Sequence, residues 1–143
     1  MTTYESASEE ATQAIASALA ATLVPGDVVT LEGPLGAGKT VFVRALARGL
    51  GVDPSIPITS PSYALANVYD RPDGSTFVHV DLYRIADDEE LEALGFRDWL
   101  ADGAIVAIEW PERSPVIGAV ATLSVAIEDC GPEARRIRVT RRP

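Results

Sequence analysis

Apolar positions along the chain alternate between two periods, and the changes of period outline the elements. From 7 to about 23, Ala11, Ile15, Ala18 and Thr22 recur at helical spacing beside Ala14 and Leu19, which predicts a first helix whose small-residue face suits close packing. Ser6 followed by Glu9 predicts a capping box at its start. The turn "PGD" at 25–27 leads into "VVTLEG", 28–33, a short apolar strand. After Thr40, "VFVRALARGLG" returns to helical spacing through Phe42, Leu46 and Leu50, with Gly49 or Gly51 to stop it. Residues 58–69 are broken at Pro61 and then read as a strand. "DRPDG" at 70–74 turns the chain, and "TFVHVDLY", 76–83, alternates as the return strand of a hairpin. An acidic-fronted helix over 87–95 ends at Gly95, and "FRDWL" adds a further turn. "AIVAIEW", 104–110, is an apolar run of the buried-strand type, and two last strands over about 119–140 form a hairpin joined through 128–134.

One short stretch assigns chemistry to this framework. "GPLGAGKT", 33–40, satisfies G-x-x-x-x-G-K-[ST] with Gly33, Gly38, Lys39 and Thr40, and it lies between a predicted strand and a predicted helix, the context that motif requires. Glycines let backbone N–H groups point inward around phosphates. The lysine neutralises the terminal phosphate oxygens, the hydroxyl of Thr40 can hold magnesium, and the helix that starts here offers its positive end. The nucleotide-binding set is therefore Gly33, Leu35, Gly36, Ala37, Gly38, Lys39 and Thr40. Lys39 is the single lysine beside eleven arginines, so wherever a positive charge alone suffices the chain uses arginine. The expected fold is α/β: a single P-loop NTPase-like domain over 1–143, with a mixed, mostly parallel sheet, antiparallel hairpins and flanking helices.

A phosphate loop needs a carboxylate on the magnesium side, commonly at the end of a buried strand, and hydrolysis needs a group that orients water. Glu109 ends "AIVAIE" and is the stronger candidate for magnesium. Asp81 ends "FVHVD" and can orient water or share the metal. His79 shares a strand face with Asp81 and suits hydrogen bonding as well as chemistry. Trp110, just after the key glutamate, is placed to pack the nucleotide-side loop.

Charge and cysteine usage narrow the classes. A net charge of -9 opposes a general nucleic-acid coat, which needs a broad cationic face. Arg135, Arg136, Arg138, Arg141 and Arg142 form a local exception, readable as a solvated strand edge or as a contact for RNA or a partner protein. Cys130 alone can make no internal disulfide. With no basic-then-apolar leader and no run of about 20 apolar residues, the expected compartment is the cytoplasm, without membrane contact.

The succession "GPLGAGKT" at 33–40, "TSPSY" at 59–63, "HVDLYR" at 79–84, "LEALGFRDWL" at 91–100 and "IEWPE" at 108–112 resembles the bacterial TsaE family, also called YjeE. These are small P-loop ATPases of tRNA threonylcarbamoyladenosine synthesis. The resemblance implies ATP and ADP with Mg2+ as cofactors, and slow hydrolysis stimulated by TsaB-like and TsaD-like partners. It implies a role in modifying adenosine 37 of tRNA, with tRNA met indirectly; the local charge of Arg135, Arg136 and Arg138 offers a candidate direct contact. It also implies Lys39 and Asp81 as catalytic groups and Thr40, Glu109 and Asp81 as magnesium-side groups. Thr12 would lie near the base and Ser62 in a switch near the γ-phosphate. Two positions depart from the family's habit: Pro34 stands where aspartate is common, and Ser62 where threonine is usual. A small-molecule or nucleotide kinase, and a module gated by ATP without hydrolysis, share the loop and are the alternatives; a GTPase would want an N-K-x-D segment that the chain lacks.

Overall fold

The computed structural model describes residues 1–61 and 64–142. Among these residues seven strands form one sheet in the order β1-β7-β6-β2-β5-β4-β3. Its centre is β2 (Val28–Glu32) flanked by β5 (Ile105–Glu109) and β6 (Leu123–Asp129), with β4 (Thr76–Asp81) beyond β5, all four mutually parallel. Both edges are antiparallel: β3 (Ala66–Asp70) pairs with β4, while β7 (Arg135–Arg141) and then β1 (Thr2–Ser6) extend the other side. The expected mixed sheet with a parallel core is thus the one observed.

Helices cover both faces, which is why β2 and β5 are near-continuous apolar runs rather than alternating ones. On one face α1 (Glu9–Ala20) and α2 (Lys39–Gly49) pack over Val29, Leu31, Ile105, Ala107 and Phe77. The small-residue face expected on α1 lets the two helices approach closely. A Cβ built on Gly49 would stand 2.7 Å from the Ala20 Cβ. On the other face α3 (Asp88–Ala93), α4 (Phe96–Ala101) and α5 (Pro115–Val120) cover Val28, Val78, Val106 and Ile108.

Four local expectations change. Residues 2–6 form a strand that polarity concealed: four of its five side chains are exposed, and it is held by its backbone ladder with β7 and by the cross-strand pair Glu5–Arg136 at 2.7 Å. Because Ser6 ends that strand, the first helix starts later than 7 and is capped by Ser8, whose hydroxyl accepts from the Ala11 N–H at 3.1 Å. The acidic helix and the "FRDWL" turn are separate helices divided by Gly95 at φ 92°. Finally, Pro115 at the first turn of a helix starts α5, so the last hairpin opens at Leu123 rather than near 119.

Candidate functional site

β2 ends at Glu32, and the glycine loop carries the chain into α2. Gly33 is required by close approach: a Cβ there would meet the Ile127 carbonyl oxygen at 2.7 Å. Gly38, left-handed at φ 98°, is the N-cap of α2 and offers no side-chain acceptor, so the first-turn N–H groups stay available to an anion. Arg135, at the start of β7, fixes the loop from outside. Its Nε donates to the Ala37 carbonyl at 2.7 Å and its Nη2 to that of Gly36 at 3.4 Å. The rest of the guanidinium bonds the Gly131 and Ala134 carbonyls, each at 2.8 Å, and Asp129 at 3.3 Å. Two loop carbonyls are thereby engaged on the outside.

Beside the loop lies a cavity of about 410 Å³ that joins Leu35, Gly36, Gly38, Lys39 and Thr40 to Asp81, Glu109 and Trp110. Asp81 and Glu109 sit directly opposite each other in the β4–β5 register, at the ends of adjacent parallel strands. Asp81 is partly exposed and accepts from the Ser60 hydroxyl at 3.2 Å and the Tyr83 N–H at 2.9 Å. Glu109 is 3% exposed and meets His79 Nε2 through Oε2 at 2.5 Å. Lys39 is also buried. Its ammonium donates to the Gly33 carbonyl at 2.7 Å and stands 3.5 Å from the centroid of the Trp110 ring. Burial holds the Lys39 pKa below the ordinary lysine value, with Glu109, Glu112 and Asp81 opposing the shift. Trp110 occupies a left-handed conformation, φ 59°, and packs against Tyr83 at 5.0 Å between centroids.

Eight expected residues therefore share one cavity. Ala37 and Thr12 lie across the loop, where a smaller cavity of about 70 Å³ is walled by them with Gly38, Val41 and Arg135. The Thr12 hydroxyl already bonds Ser6 Oγ at 2.7 Å. Gly33 lines neither space; its carbonyl receives Lys39. Ser62 lies outside the described residues. The motif gave no sign of Arg135 as a loop-holding residue, and no local spacing supplies one: the contact arises because β7 lies beyond β6, the strand that carries Ile127. The cluster around it is locally neutralised. Arg136 pairs with Glu5 and with Glu128 at 3.6 Å, Arg138 with Glu128 at 3.6 Å, and Arg141 with Asp27 at 3.6 Å. Arg142 donates instead to the Gly118 carbonyl.

Among the described residues no group of three or more His, Cys, Asp or Glu side chains could hold a metal by itself. Two carboxylates and the Thr40 hydroxyl at one cavity suit instead an ion completed by phosphate oxygens and water, as magnesium commonly is.

Comparison with known proteins supplies a family. The sequence profile described as threonylcarbamoyl adenosine biosynthesis protein TsaE matches residues 6–137. The chain belongs to the TsaE family. TsaE proteins similar to it include that of Aquifex aeolicus, 35% identical over 94% of this chain and 92% of that protein. The Bacillus subtilis TsaE is 35% identical over 96% and 84%, and the Haemophilus influenzae TsaE 40% identical over 78% and 68%. Among solved structures, Bacillus subtilis YdiB superposes with a TM-score of 0.76 at 29% identity, covering 98% of this chain and 84% of that one. The TsaE match takes in the loop, both strand-end carboxylates, His79 and Arg135. No helix among the described residues is long and apolar enough to cross a membrane.

Proposed function

We propose that the chain binds ATP and ADP with magnesium at the loop cavity and hydrolyses ATP slowly in support of threonylcarbamoyladenosine synthesis at position 37 of tRNA, faster when TsaB-like and TsaD-like partners are present. The observation that carries this reading is the meeting, in one cavity, of the glycine loop, the open N-terminus of α2 and two carboxylates in register on adjacent strands. Family membership adds the pathway.

In this reading Lys39 leaves the Gly33 carbonyl and the Trp110 face for the β- and γ-phosphate oxygens, which are stronger acceptors than a neutral carbonyl. Thr40 and Glu109 hold magnesium, which when bound neutralises charge developing on the phosphates. Asp81, held by Ser60 and Tyr83 at the cavity wall, orients water or shares the ion. Leu35, Gly36, Ala37 and Gly38 supply the cradle, Trp110 packs the nucleotide side, and Thr12 lies toward the base. A domain this small has little room for an acceptor site of its own, so the productive transfer belongs to a partner.

Phosphate release from ATP is the test, measured with magnesium for the chain alone and after adding TsaB and TsaD counterparts, with K39A as the blank. Strong stimulation that K39A abolishes supports the proposal. An unchanged rate with partners active by another criterion contradicts the hydrolytic role.

A further inference from the structure

His79 is fully buried, on the same face of β4 as Asp81, and the reading above gives it no task. Its partner across β5 in the register is Ala107, while Asp81 faces Glu109. The small Ala107 side chain leaves room for the imidazole to lie diagonally across the strand and reach Glu109, two residues on. The contact is Nε2 to Oε2 at 2.5 Å. The opposite ring nitrogen, Nδ1, is buried and has no hydrogen-bond partner among the described residues. That orphan decides which nitrogen carries the proton. A proton on Nδ1 would leave a buried donor unsatisfied, whereas a proton on Nε2 leaves only an idle lone pair and gives the carboxylate a donor. His79 therefore donates through Nε2 to Glu109.

We infer that His79 is a positioning residue that fixes the Glu109 carboxylate by holding Oε2, leaving Oε1 for a ligand in the cavity. This inference rests on the reading of Glu109 as the magnesium-side carboxylate. A glutamate has three side-chain torsions and, unheld, would be free to turn toward the Lys39 ammonium, whose charge it feels. A buried donor behind it selects one orientation before the ion arrives, as partners of ligating groups do in metal sites. The hydrogen bond runs from histidine to carboxylate, and nothing in the task requires the imidazole to change its charge.

The test is the magnesium concentration at which ADP binding reaches half of its metal-dependent strengthening, measured by equilibrium titration with ADP affinity in the absence of metal as a control. In H79Q the amide nitrogen can occupy the place of Nε2, so the midpoint should stay within about 3-fold of the unaltered chain, a small part of the 10- to 100-fold that loss of such a partner costs. H79N is also an amide but too short to reach, and H79L has no donor. Both should raise the midpoint roughly 10-fold or more while metal-free ADP affinity is unchanged. If H79L does not fold, the contrast between H79Q and H79N decides. Equal midpoints for H79N and the unaltered chain, with E109Q still removing the metal dependence, would overturn the role of His79 and leave that of Glu109 standing. No effect of E109Q would overturn the magnesium reading, and the inference with it.

Discussion

Replacing Arg135 with alanine tests whether the loop is held from outside. Its side chain is 15% exposed and donates to Ala37 at 2.7 Å and Gly36 at 3.4 Å, as well as to two carbonyls of its own hairpin. Hydrogen bonds from a charged donor contribute about 1.5–3 kcal/mol each when well formed. The Ala37 bond is the well-formed one in the loop, and the hairpin carbonyls can turn to water once the guanidinium is gone. A net loss of about 2–4 kcal/mol follows from one full bond and partial loss of the others. For a domain of this size that lowers Tm by about 5–15 °C. The assay is urea unfolding of R135A beside R138A. Arg138 is 44% exposed and pairs with Glu128 at 3.6 Å, so its removal should cost less than about 1 kcal/mol. Because the loop is where the loss falls, R135A should also bind ADP at least 10-fold more weakly, on the order of 1.4 kcal/mol. Equal stability and equal ADP affinity for the two variants would refute the reasoning.

Three further outcomes follow from the same geometry. The Lys39 pKa is depressed by burial, so between its folded value and the ordinary 10.5 the unfolded chain binds more protons, and the stability of the nucleotide-free protein should rise with pH in that window. The difference in urea midpoint between the unaltered chain and K39M, followed to pH 10.5, checks this; a flat or falling difference counts against it. G33A should cost about 1–3 kcal/mol of unfolding free energy, because the new methyl group meets a backbone oxygen at 2.7 Å that cannot move without disturbing β6. Denaturation melts read it directly, and a neutral substitution would show that the loop is not tied to that strand. D81N should slow ATP hydrolysis by roughly 100-fold or more while leaving metal-free ADP affinity within about 3-fold, measured by single-turnover phosphate release and titration.

Local motifs were the legible part of the sequence. The eight residues of the loop carry their own geometry, and Glu109 and Asp81 each end a run whose length and apolarity mark a strand reaching the same edge of a parallel sheet. Contacts set by distant register were not legible. Arg135 reaches Ala37 across 98 positions, through a hairpin turn and two strand pairings that no local spacing encodes. Strand β1 escaped notice because an edge strand facing solvent has no apolar alternation; its partner, β7, is the other end of the chain. The misplaced cap has the same origin, since Ser6 and Ser8 are both competent caps and only the pairing of Ser6 with Arg135 in the β1–β7 ladder removes it from the helix. His79 shared a face with Asp81 as the alternation implied, yet its partner lies on the neighbouring strand, 30 residues further on.

Nucleotide binding at the loop cavity is the central claim, and calorimetric titration of ADP into the folded chain, with and without magnesium, tests it most directly when K39A is measured alongside. The account predicts a single saturable site strengthened by magnesium and weakened at least 10-fold in K39A, about 1.4 kcal/mol or more, with the variant still folded. Absence of saturable binding, or an affinity that K39A leaves unchanged, would contradict it.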